Sequence, residues 1–233
     1  MRPLFLLLAL IMGLTDASAQ PTPPALKEIS PGVFEYNGVQ LDKKNHRISF
    51  PAIVNQDGGL IEYLLVSDKG KLHESLFSTK VLPHDIHLAL LLIGLKEPKN
   101  TGENVPPTAI DTPYLQSAPK LKGPPVQISV AWTQDGKQKS GPAEDWIFNL
   151  KTKQKMSTGP WTYNGSMIDN GVFLADQELS IVAVITDPTA LVNNPRPGYD
   201  DDEIWQIPEK STPPVDTPVV ITITMVEPTD TKP

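Results

Sequence analysis

The chain has 233 residues, 20 basic and 27 acidic side chains, a net charge of −7, 25 prolines and no cysteine. The missing thiols exclude disulfides, thiolate zinc sites, iron–sulfur clusters and a cysteine nucleophile. A modestly acidic chain without a basic patch argues against nucleic acid and anionic membrane surfaces as partners.

Taken in order, residues 1–19 read as a secretory signal peptide: Arg2, an apolar run over 4–14, then Ala17-Ser18-Ala19 as a cleavage site. That run is too short to cross a bilayer, which takes about 20 apolar residues, and no later run is longer. The expectation is an exported soluble protein, periplasmic or extracellular, with no transmembrane segment after cleavage. "QPTPPALKE" opens a proline-rich tether over residues 20–27. "GVFEYNGVQLD" predicts a hairpin turning at Asn37-Gly38. "HRISFPAIV" and "LIEYLLVS" are β-rich, and "KLHESLFST" reads as the next strand across Asp68-Lys69-Gly70, with the glycine supplying a positive φ.

Pro83 suits the first turn of a helix, and the pattern predicts one over residues 83–95. Beyond His84, Asp85 and His87 it is apolar all round, which predicts burial all round. Residues 97–125 form a long proline-rich loop. After it, "PVQISVAWT", "LSIVAVIT" and "PVVITITMV" are strands, with weaker helical signals at 142–150 and 188–193. Residues 228–233 read as a disordered tail. The sum is an α+β fold: a single domain over 28–227, a mostly antiparallel β-sheet with one main buried helix (83–95) and long proline-rich loops.

Three of the four histidines, His73, His84 and His87, fall within 26 residues of one another. One reading joins His73 and His87 around a metal ion, with Glu74 as the carboxylate candidate. Strand alternation opposes it, since it sends His73 and Glu74 to opposite faces. The plainer reading keeps His87 as a core histidine and His84 in a capping turn. An antiparallel register would also bring Glu62 diagonally near Glu74. Such a pair either raises one pKa in an apolar setting or is simply solvated. Ser75 and Ser166 are candidate nucleophiles without the G-x-S-x-G elbow. Asp200, Asp201, Asp202 and Glu203 suit calcium or a solvated loop. Glu144 and Asp145 fit a first helical turn with Trp146 in the core, and Asp169 and Asp176 are candidates for a cleft.

The run "LIEYLLVSDKGKLHESLFST", then "HDIHLALLLIGL", "PAEDWIFNLKT", "WTYNGS", "FLADQE" and "DPTALVNNP", in that order, resembles the YdjY-type domain of bacterial secreted proteins over residues 26–226. The resemblance implies an exported bacterial protein and supplies no activity. Its recurring polar positions fall here on Glu62, His73, Glu74, His87, Glu144, Asp145, Trp146 and Asp176. His84 is not among them.

Three functional expectations follow. The first is an accessory module that binds a small ligand or a protein partner. The second is a metal-dependent site, hydrolytic in one version, built around His73, His87 and Glu74. The third is a structural envelope component. The sequence leaves the cofactor unknown.

Overall fold

The structure is a computed structural model that describes residues 25–98 and 121–226. The predicted signal peptide, most of the predicted tether, the middle of the 97–125 segment and the predicted C-terminal tail lie outside the described residues. The chain first lays down β1 (Lys27–Ser30), β2 (Val33–Tyr36), β3 (Val39–Asp42), β4 (Arg47–Val54), β5 (Gly59–Leu60), β6 (Tyr63–Ser67) and β7 (Ser75–Thr79), then helix α1 (Pro83–Leu92). It continues with β8 (Pro125–Gln134), β9 (Lys137–Pro142), a 3-10 turn at Ala143–Trp146, β10 (Phe148–Asn149), β11 (Gln154–Lys155) and β12 (Trp161–Tyr163). Last come β13 (Ile168–Asp169), β14 (Val172–Phe173), α2 (Leu174–Glu178), β15 (Ser180–Ala183), β16 (Val192–Asn193), β17 (Trp205–Ile207) and β18 (Pro218–Met225).

The predicted α+β architecture is wrong. The protein is mostly β, 42% strand and 12% helix, and its centre is a closed eight-stranded barrel. The strands run β4-β18-β8-β12-β16-β15-β6-β7, and β7 pairs back onto β4 through Ile53↔Ser78 and Val54↔Phe77. The meander β1–β2–β3 extends the sheet beyond β4, and β9 branches from β8. A smaller sheet, β11-β10-β17-β5, stands beside the barrel.

Alternation explains the long strands. On β4, β8 and β18 the residues Ile48, Phe50, Val54, Ile128, Val130, Val219, Ile221 and Ile223 are buried, while their neighbours alternate outward. Phe77 of β7 packs on Trp146 at 5.3 Å between ring centroids, and Trp132 of β8 meets Trp146 at 4.9 Å. Such aromatic pairs add to the area they bury.

Two barrel pairs are parallel, β6–β7 and β15–β16. This is where the hairpin expectation fails. "LHESLFS" is not one strand: Leu72–Glu74 is a 3-10 turn, and only Ser75–Thr79 is extended. The connection 68–74 doubles back along the barrel wall, so that Tyr63 faces Ser75. Gly70 has no positive φ; a Cβ there would stand 3.0 Å from the carbonyl of Leu179, so glycine serves close approach.

Helix α1 ends three residues short of its predicted limit. Gly94, at φ 102°, closes it: the Gly94 amide donates to Leu91 O at 2.9 Å and the Leu95 amide to Leu90 O at 3.1 Å. The helix is not buried all round. Ile86, Ala89 and Leu90 enter the core, while Leu88 and Leu92 are 38% and 37% exposed. The weaker helical signals resolve as the 3-10 turn with β10 and as a turn leading into β16. The Asn37-Gly38 hairpin forms between β2 and β3, both residues at positive φ.

The seam between β8 and β12 leaves no room at Gly123, where an added Cβ would lie 1.8 Å from the Tyr163 carbonyl oxygen. Gly123→Ala is expected to force the two strands apart and lower the melting temperature by about 5 °C or more, read by thermal denaturation.

Candidate functional site

Three polar clusters stand out, and the first lies where the tight parallel connections meet. Residues 68–74 and 184–191 each link parallel neighbours with far fewer residues than a helical crossover uses. Lys71, from the first, donates to Tyr63 Oη at 2.8 Å and to Ser180 Oγ at 3.3 Å, and its ammonium lies 3.8 Å from Asp187, in the second. Tyr63 donates to Asp187 at 3.0 Å. Asp187 also accepts from the amide and hydroxyl of Thr189. Its own amide donates to Asn193, whose side chain donates to Asn164. Beneath this network Tyr63, Val66, Ala183 and Ala190 form a small apolar cluster capped by Leu72. A lysine beside a serine and a tyrosine is a chemically suggestive set, yet Ser180 is fully buried and Tyr63 nearly so. The arrangement therefore staples the two connections to the wall.

His73, Glu74 and Glu62 lie on the same side of the barrel. His73 is 81% exposed at its side chain, with Nε2 3.4 Å from Glu74. The parallel register sets Glu62 directly beside Glu74, and the Glu62 amide donates to Glu74 O at 3.0 Å. Burial, then the nearby Glu74 and Asp202 carboxylates, hold Glu62 above the usual glutamate range. The carboxylate proximity anticipated from sequence is real, but it arises from a different register.

The second cluster surrounds α1. His87 shares a 2.7 Å hydrogen bond with the Tyr163 hydroxyl, and its ring lies 5.1 Å from that of Phe173. Burial pushes the His87 imidazole below its ordinary pKa and the Tyr163 phenol above its own. Both groups are accordingly neutral at pH 7. His84 meets Asp176 of α2 at 2.7 Å. The structure thus places His73 with Glu74 on the barrel wall and His87 with Tyr163 at the helix. Among the described residues no group of three or more His, Asp or Glu has the arrangement of a metal site. Ser75 donates to Lys71 O and Ser166 to Thr189 O. Asp201 pairs with Lys151, and Asp169 is exposed on β13.

The third cluster is a buried ion pair. Arg196 Nη2 donates to Glu144 Oε1 at 2.6 Å, with side chains 9% and 2% exposed. The same oxygen accepts from Trp161 Nε1 at 3.0 Å, while the guanidinium lies 5.0 Å from the Trp161 ring and donates to the carbonyls of Ser157 and Gly159. Glu144 looked from sequence like a helix-turn residue. Arg196, Lys71, Tyr63, Asp187 and Tyr163 were not legible at all, because each works through a partner at least eight residues away.

Two measurements check these clusters. A raised Glu62 pKa contributes stability below the ordinary value of 4.5, and the contribution is lost as pH rises through the folded value. Glu62→Gln is therefore expected to raise the urea midpoint at about pH 7 and to have no effect near pH 4. Glu144→Ala strands a buried guanidinium and is expected to cost about 3–5 kcal/mol in the same assay.

No curated protein and no solved structure matches the chain. The family model of the YdjY domain matches residues 39–224, from β3 into β18, and so takes in all three clusters. The chain belongs to the YdjY domain family.

Proposed function

We propose that this protein is an exported binding module that docks a partner protein through the outer face of α1. The observation that carries the reading is the row of leucines the helix leaves outside. Leu88 and Leu92 stand one turn apart and half-open to solvent, and Leu82 is exposed just ahead of the helix. The hairpin β13–β14 reaches the helix through Phe173, which lies 5.1 Å from the His87 ring. Its Ile168 is 71% exposed and pairs directly with Phe173, the ring that touches His87. Ile168 is thus a further exposed aliphatic side chain, on the hairpin whose Phe173 meets the helix. Aliphatic side chains gathered at one place on a surface mark an interaction site more often than singly scattered ones do.

Charge selects the partner. Glu97 and Asp176 both act electrostatically on His87, the residue before Leu88, so the charge near this face is negative. A helix or loop that presents aliphatic side chains between lysines or arginines fits this surface. Exported location and solubility belong to the same reading. They rest on the signal pattern and on the family.

The test is a photo-crosslinking residue at position 92, with position 150, another exposed leucine, as the control. The expected result is a discrete protein adduct at 92 that is lost in Leu88→Asp and absent at 150. Leu88→Asp should keep a melting temperature within a few degrees of the parent, since exposed positions tolerate substitution. Equal adducts at 92 and 150, or none at 92, would overturn the reading.

A further inference from the structure

The strands β4, β18, β8 and β9 lie abreast, and one face of them is turned to solvent. Phe50, Ile221 and Val130 go inside, so Pro51, Val220 and Ala131 beside them stay outside. These three pair directly across the strands, and the row runs on to Ser140 of β9. The next outward row is Ser49, Thr222 and Ser129. Charged residues make up 20% of the chain. Yet the outward positions of these four strands hold a single charged side chain, Arg47, at the margin, and Asp42 neutralises it at 3.1 Å. The lysines of β9 belong to the opposite side, since Lys137 pairs with Gln134 and Lys139 with Trp132.

The chain carries a net charge of −7, so two copies repel in most orientations. Covering a carboxylate with another copy adds a desolvation cost. The sheet face presents none. Its centre is apolar, with Val220 43% exposed between Pro51 and Ala131. Hydroxyls border that centre, and those of Ser49 and Thr222 already bond each other at 2.9 Å, so they can be covered without being stranded. An apolar centre depleted of charge is what marks the core of a protein interface. We propose that a second copy of this chain covers this face, the two sheets packing back to back about a two-fold axis. Strand spacing and rise give a patch of roughly 20 by 25 Å, hence about 1,000 Å² buried in the pair, the low end for a specific contact. The dimer is accordingly weak, with a dissociation constant on the order of 10–100 μM. No residue of the α1 face takes part in it.

Sedimentation equilibrium of the full chain, from about 5 μM to about 1 mM at ~0.15 M salt, tests this. The weight-average mass should rise from one chain towards two. Val220→Glu and Ala131→Glu, on neighbouring strands, should each weaken association at least tenfold, with melting temperatures within a few degrees of the parent. Leu88→Asp should leave association unchanged. A parent that stays monomeric throughout would overturn the proposal, as would a dimer that survives both glutamate variants. Loss of the dimer in Leu88→Asp would overturn it too, because the contact would then belong to α1.

Discussion

The pairing of β7 with β4 is the constraint on which the rest of the structure depends. Without Ile53↔Ser78 and Val54↔Phe77 the sheet would be an open ribbon with β7 at its edge. Closure removes that edge, and with it the row of unpaired amides and carbonyls an edge exposes. It also turns one face of every barrel strand inward, where Phe50, Phe77, Leu65 and Trp161 fill the interior. A small closed barrel filled by its own side chains leaves the outer wall and its loops for function. The polar clusters described above lie on the connections between barrel strands and on the helices and turns packed beside them.

Closure in turn requires strands to run the right way round the circle. Around the ring β4, β18, β8, β12 and β16 alternate in direction, while two neighbouring pairs, β15–β16 and β6–β7, are parallel. The chain makes those two pairs with short connections, and short parallel connections are hard to make because they must retrace a strand's length in few residues. Lys71, Tyr63 and Asp187 hold them together, and Gly70 lets the first pass close to Leu179. The buried Glu144–Arg196 pair does comparable work, fixing the 3-10 turn at Ala143–Trp146 to the segment after β16. Residues that look catalytic in a list are here holding the barrel shut.

The local signals were legible in the sequence and the closure was not. β-rich runs located β4, β8 and β18, the Asn37-Gly38 pair located a turn, and Pro83 located the start of α1. Each of these depends on neighbours in sequence. The parallel register of β6 and β7 depends on β15 and β4, far along the chain, so Asp68-Lys69-Gly70 looked like a hairpin turn. The same blindness affected the site. Glu62 and Glu74 were paired by a wrong register that happened to bring them close. His84 was set aside as a capping residue, and nothing in the sequence could supply Asp176, 92 positions away. The uniform hydrophobicity of α1 was read as burial, yet the barrel offers the helix only one side to pack on. Its remaining leucines are left outside.

The most direct test of this account is a through-space proton contact map by nuclear magnetic resonance across β4 and β7. The closed barrel predicts backbone cross-peaks between Ile53 and Ser78 and between Val54 and Phe77, as clear as those between β4 and β18. It also predicts a parallel pattern between Tyr63 and Ser75. Absence of the β4–β7 peaks, or antiparallel contacts between Val66 and Leu72, would mean an open sheet. The account of the wall and its clusters would then fail with it.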